Sequence, residues 1–136
     1  MIINNPEKQY KSNRRLKYSC YYHIIFCPKY RRKVLSGIEI RLKELFNQIS
    51  LKYNFEIIEI EIMSDHVHMI ISCDPSFGIM KCVSRLKGNT SYQIRSEFPY
   101  LVKKLPTLWT RNTFISTVGS VSLETVKQYI EDQKGK

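Results

Sequence analysis

Apolar residues along this chain recur with two periods, one of two residues and one near 3.6, and the changes of period mark out its elements. Residues 17–27 (KYSCYYHIIFC) are rich in Tyr and Ile and stop at Pro28, which predicts a strand. Ile38, Leu42, Leu45, Phe46, Ile49 and Tyr53 fall at helical spacing, so residues 38–53 read as an amphipathic helix. Residues 55–63 (FEIIEIEIM) alternate apolar and acidic, as a half-buried strand does. A short turn at Ser64-Asp65 leads to another strand over 67–73 (VHMIISC). Asp74-Pro75 reads as an N-cap followed by proline at the first helical position. The helix it opens runs to about Phe98, with Ile79, Val83, Leu86, Thr90 and Ile94 inward. Residues 113–118 (TFISTV) form the last strand, Gly119 breaks it, and Ser122 caps a final helix to about Gln133. No repeat, low-complexity run or linker interrupts the pattern, and residues 1–136 read as one domain.

The order β-α-β-β-α-β-α predicts an α+β fold. Its first six elements match the ferredoxin-like split βαβ, an antiparallel sheet with two helices on one face. The extra C-terminal helix is free to carry something to the open face. Fold alone assigns no function.

Composition narrows the class. Hydrophobic residues make up 43% and aromatics 12%, with five Gly and five Pro, a globular profile. Residues 1–11 are polar and no apolar run reaches the roughly 20 residues of a membrane span, so neither export nor a membrane is expected. Cys20, Cys27, Cys73 and Cys82 lack C-x-x-C spacing and read as free thiols of a cytoplasmic protein. Twenty-two Lys and Arg against twelve Asp and Glu leave a net charge of +10, a balance that favours a polyanion. The cations cluster at Lys8 to Lys17, at Lys29, Arg31, Arg32 and Lys33, and at Lys81, Arg85, Lys87 and Arg95. Tyr10, Tyr18, Tyr30, Tyr92 and Trp109 lie among or near them and offer rings for unpaired bases. The plainer reading is a solubilising basic surface. Membrane-surface binding lacks a basic amphipathic anchor.

Candidate chemistry sits in two places. His66-Val67-His68 opens a strand, and alternation puts both imidazoles on one face with Cα atoms roughly 6–7 Å apart, able to converge on one divalent ion. An H-x-H pair is also what chance puts at a strand start. Tyr129 and Gln133, four apart on the last helix, share a face, with Thr125 a turn earlier and Leu123, Val126 and Ile130 on the packing side. Taken alone, Tyr129 is equally a packing residue with its hydroxyl at the rim. No three-ligand Cys/His spacing supports a zinc hydrolase.

The runs YYHIIFCPKYRRKVL (21–35), EIMSDHVHMIIS (61–72), SRLKGNTSYQIRSEFP (84–99) and FISTVGSVSLETVKQYIEDQ (114–133) closely resemble the TnpA-type transposases. These are the single-tyrosine HUH transposases of hairpin-ended, IS200-like insertion sequences. The resemblance spans Tyr18 to Gln133 in order, and its most diagnostic parts are His66-Val67-His68 and the V-x-L-E-T-V-K-x-Y-I-x-x-Q run at 121–133. It implies that His66, His68 and Gln133 bind Mg²⁺ or Mn²⁺, which orients a scissile phosphate. It implies that Tyr129 is the nucleophile of a 5′-phosphotyrosine intermediate, with no nucleotide cofactor. It further implies a homodimer with shared active sites that cuts and rejoins single-stranded DNA at hairpin-marked ends. Arg31, Arg32, Lys33, Arg85, Lys87 and Arg95 are the candidate DNA-binding residues, chosen on charge. Two alternatives stand beside this: a domesticated relative that processes palindromes, and a non-catalytic ferredoxin-like binder using its open sheet face.

Overall fold

The computed structural model describes residues 11–12, 16–118 and 123–135. A two-residue hairpin, β1 (Lys11–Ser12) and β2 (Lys17–Tyr18), precedes the main sheet of β3 (Tyr21–Phe26), β4 (Glu56–Ile62), β5 (Val67–Ser72) and β6 (Phe114–Thr117). The spatial order is β4-β5-β3-β6 and every pairing is antiparallel. Helices α1 (Glu39–Tyr53), α2 (Ile79–Glu97), α3 (Tyr100–Lys104) and α4 (Leu123–Asp132) complete the chain. The predicted ferredoxin-like arrangement is what forms.

The core lies between one sheet face and helices α1 and α2. Ile24 and Phe26 of β3 and Val67, Met69 and Ile71 of β5 meet Leu42, Leu45, Phe46 and Ile49 of α1 and Cys82, Val83, Leu86 and Ile94 of α2. In β4 a register shift between Ile57 and Glu59 absorbs one residue. Without that bulge Ile57 could not share a face with Ile60 and Ile62, yet all three pack on the core.

Two boundaries and one added element differ from the sequence expectation. The strand read over 17–27 is two pieces, because the chain changes partner: Lys17 and Tyr18 pair with β1, whereas Tyr21 begins the pairing with β5. The helix expected from Asp74-Pro75 starts later. The Asp74 carboxylate accepts from Ser76 N–H (2.7 Å) and its carbonyl from Phe77 and Gly78, so its capping chemistry closes a turn. The helix follows Gly78, whose φ of 92° few side-chain-bearing residues tolerate. Helix α3 was not expected. With the segment behind it, it buries Leu101, Leu105, Leu108 and Trp109. Trp109, expected as a stacking ring, instead packs edge-on to Phe26 at 4.7 Å and donates its indole N–H to Thr90 Oγ1 at 3.0 Å. It is a core residue.

Candidate active site

The register of the sheet fixes what shares the face away from α1 and α2. His68 stands opposite Glu61 of β4 and Ile25 of β3, and Ile25 stands opposite Phe114 of β6. Directly opposed residues point the same way, so these four form one row. The neighbouring row is Glu59, Ile70, His23 and Ser116. Val67 points into the core and is fully buried, as alternation requires. Helix α4 meets this second face: the Tyr129 ring lies 5.1 Å from that of Phe114.

Each histidine of the H-x-H pair has a partner. His66 Nδ1 donates to Asp65 Oδ1 at 2.9 Å, which leaves Nε2 as the ring nitrogen with a lone pair to offer. A carboxylate behind an imidazole is the support that metal-binding histidines usually have. Asp65 Oδ2 meets Arg31 Nε at 3.2 Å, and Arg31 Nη1 donates to the Ile130 carbonyl of α4 at 3.1 Å and reaches Glu131 at 3.4 Å. The turn that bears His66 and the end of the helix that bears Tyr129 are thus joined through one guanidinium. His68 Nε2 lies 3.0 Å from His23 Nδ1, the rings stacked at 5.3 Å, so His68 has Nδ1 left. Burial lowers the pKa of both rings, and the imidazoles of His23 and His66 lower that of His68 further, against the pull of Glu61 and Glu59. The pair is neutral at neutral pH, the form in which imidazole binds metal. His23 is the site residue that sequence reasoning passed over. It stands two residues before Ile25 on β3, and only the pairing of β3 with β5 brings it to His68.

The other two candidates are Tyr129, on α4, and Gln133, directly after it. Among the described residues, three buried side-chain oxygens lack a hydrogen-bond partner: Ser72 Oγ, Tyr129 Oη and Gln133 Oε1. Two of the three are the residues singled out on α4. Buried polar groups are nearly always satisfied, and exceptions mark places where a ligand is missing or work is done. Burial, then the nearby Cys27 thiol, push the Tyr129 phenol well above its ordinary range. The Phe114 amide offsets this in part without closing a proper hydrogen bond. Gln133 is 3% exposed and its Nε2 donates to the Tyr129 carbonyl at 3.3 Å, which turns Oε1 away as a bare acceptor. No three His, Cys, Asp or Glu among the described residues form a ready metal site. Two imidazoles and an amide oxygen, one imidazole backed by a carboxylate, nevertheless make a donor set that fits a divalent ion.

The six candidate DNA-binding cations divide. Arg32, Lys33 and Arg85 are exposed, Arg85 over the Tyr53 ring at 5.1 Å. The other three are engaged internally. Lys87 Nζ donates to the carbonyls of Thr110 (2.7 Å) and Asn112 (3.1 Å) and to Thr113 Oγ1 (3.0 Å). Arg95 donates to the Leu105 carbonyl at 2.9 Å, and Arg31 forms the bridge above. The Gly119-Ser120 break, the Ser122 cap, the cations Lys8, Arg14 and Arg15, Tyr10, and the side chains of Lys11, Leu123, Thr125 and Val126 lie outside the described residues.

Residues 16–133 match a family model described as "Transposase IS200 like". The chain is 35% identical over 129 residues to the ISDra2 transposase TnpA of Deinococcus radiodurans, covering 93% of this chain and 92% of that one. It is 30% identical over 126 residues to the transposase for insertion sequence element IS200 of Salmonella typhimurium, covering 90% and 82%. A transposase-assigned protein of Deinococcus radiodurans R1, solved by crystallography, superposes with a TM-score of 0.83 at 31% identity, over 93% of this chain and 99% of that one.

Proposed function

The chain belongs to the IS200-like transposase family, and we propose that it cleaves and rejoins single-stranded DNA at hairpin-marked element ends through Tyr129. The observation that carries the reading is the pair of buried, unpartnered oxygens, Tyr129 Oη and Gln133 Oε1, on a helix tied through Arg31 and Asp65 to His66. An oxygen nucleophile and an oxygen donor with no partner inside the fold are arranged for something that comes from outside.

In the reaction, the Tyr129 oxygen attacks the scissile phosphorus in line. The new bond is a 5′-phosphotyrosine, and the displaced 3′ oxygen leaves with a proton as a 3′-hydroxyl. Attack by that kind of hydroxyl on the phosphotyrosine reverses the chemistry and rejoins strands, so no nucleotide cofactor is needed. Before attack the phenol is neutral, because burial raises its pKa, and its proton leaves as the new bond forms. His66, His68 and Gln133 would hold a Mg²⁺ or Mn²⁺ ion, which would offset the negative charge of the phosphate when bound. Asp65 fixes the His66 tautomer, and His23 fixes the His68 ring.

End-labelled single-stranded DNA carrying the element's hairpin, incubated with protein and Mg²⁺, should give an adduct that survives denaturation. Tyr129→Phe should abolish the adduct and hold hairpin affinity within a few fold, since it removes one oxygen and no charge. Excess chelator should do the same to the unaltered protein. Cleavage that persists in Tyr129→Phe rejects Tyr129 as the nucleophile, and full activity in chelator rejects the metal.

A further inference from the structure

The backbone at residues 30–31 does what side-chain-bearing residues avoid. Tyr30 and Arg31 are consecutive and both left-handed, at φ 61° and 51°. Residues held in such conformations persist where their surroundings fix them, and they concentrate at functional positions. Here the result is to turn Arg31 inward: its side chain is 13% exposed. Two edges of the guanidinium are in use. Nε faces Asp65 Oδ2 at 3.2 Å, and Nη1 faces the Ile130 carbonyl at 3.1 Å with Glu131 at 3.4 Å. Ile130 is in the last turn of α4, where carbonyls lack the full intrahelical ladder and the helix end is negative. The other oxygen of Asp65 holds His66 Nδ1.

We infer that Arg31 is a positioning residue that couples the seating of helix α4 to the orientation of His66. The inference rests on the reading of Tyr129 as nucleophile, because it concerns how the helix that carries Tyr129 is set against the histidines. A seated helix gives Arg31 its second partner, Arg31 then holds Asp65, and Asp65 holds the imidazole in the tautomer that leaves Nε2 with its lone pair. A helix that leaves removes the first link and loosens the rest in order. Arg31 meets Asp65 through Nε and Ile130 through Nη1, two nitrogens held apart on one planar fork, whereas lysine has a single nitrogen for both and so keeps the charge but not this geometry. The competing role is direct contact with a DNA phosphate. That role needs the guanidinium turned to solvent, which the bridge opposes.

The test uses the full-length, metal-free protein and two variants, Arg31→Lys and Asp65→Asn. Amide hydrogen exchange over residues 123–135 reports the helix, and the ring ¹H–¹⁵N signals of His66, assigned against His66→Ala, report the imidazole. Arg31→Lys should speed exchange in α4 by about tenfold, as loss of a charge-assisted hydrogen bond implies. It should also shift the His66 Nδ1–H signal towards that of a solvated ring. Asp65→Asn should disturb the His66 signal and leave α4 protected, because the Arg31–Ile130 bond survives. Adduct formation should fall about tenfold or more in Arg31→Lys, with hairpin affinity within about twofold. If α4 exchange and the His66 signal are unchanged while hairpin affinity drops and its salt slope falls by about one, Arg31 is a phosphate contact and the coupling is rejected. If Asp65→Asn leaves the His66 signal where it was, the chain of contacts is rejected even where Arg31→Lys does not fold. Failure of the unaltered protein to form an adduct counts against the phosphotyrosine reading alone, since exchange and ring signals are read without DNA.

Discussion

Lys87 sits on the flank of α2 that turns towards the 110–113 segment, and its ammonium serves two carbonyls and a hydroxyl there. Burial pushes its pKa down to about 8 from 10.5. Between those values the unfolded chain holds a proton that the folded chain has released, so stability rises with pH across about 8 to 10.5. Lys87→Met should leave the two carbonyls without their donor and destabilise the protein by roughly 1–2 kcal/mol in urea unfolding. The variant should lack the rise above about pH 8, and its hairpin affinity should change by less than about twofold. A large loss of affinity with stability intact would restore Lys87 to the DNA surface. Charge read along the chain put it there, and nothing in one dimension shows that three acceptors from residues 110–113 wait for it. The orientation of Val67 and His68 was legible because strand alternation is a local rule, whereas His66 sits in the turn just before β5 and is set by its contact with Asp65. His23 was not legible, because its tie to His68 depends on which strands become neighbours.

The packing faces of α1 and α2 were legible for the same local reason, their apolar positions recurring at helical spacing. The starts were less so, because turn and cap draw on the same side chains and Asp74 chose the turn. What clamps the helices to each other was invisible. Arg41 of α1 donates to both oxygens of Glu97 at the end of α2, at 2.8 and 2.7 Å, and Gln93 adds a third bond at 2.7 Å. The Arg41 guanidinium, then Gln93, hold the Glu97 carboxyl at about 2, well below its usual 4.5. A depressed carboxylate contributes stability that is present above about 4.5 and lost as pH falls towards 2. Glu97→Gln should therefore flatten the acid side of the stability curve in thermal melts from pH 5 to 2. Because the pair faces water, half-molar salt should remove most of the difference. An acid slope identical in both proteins would assign it to other carboxylates.

At the scale of the whole molecule, α4 meets its own chain at Phe114 of β6 and at Arg31 in the turn after β3. A terminal helix is an element that a symmetric dimer can exchange at low cost. Two inactive proteins, His66→Ala/His68→Ala and Tyr129→Phe, mixed and allowed to exchange subunits, should therefore regain adduct formation. Each mixed dimer then holds one intact site, with histidines from one chain and Tyr129 from the other. No adduct at any mixing ratio would mean that sites are built within single chains, and would leave the chemistry untouched.

The edge strand β4 has a consequence for how DNA arrives. Glu56, Glu59 and Glu61 project from the outermost strand of a protein whose net charge is +10, and Glu59 and Glu61 fall in the same rows as the histidines. Charge along an edge keeps other strands from adding to the sheet. On a molecule that is otherwise strongly positive, the same carboxylates form a local negative strip, and phosphates are disfavoured within roughly a Debye length of it, about 8 Å at physiological salt.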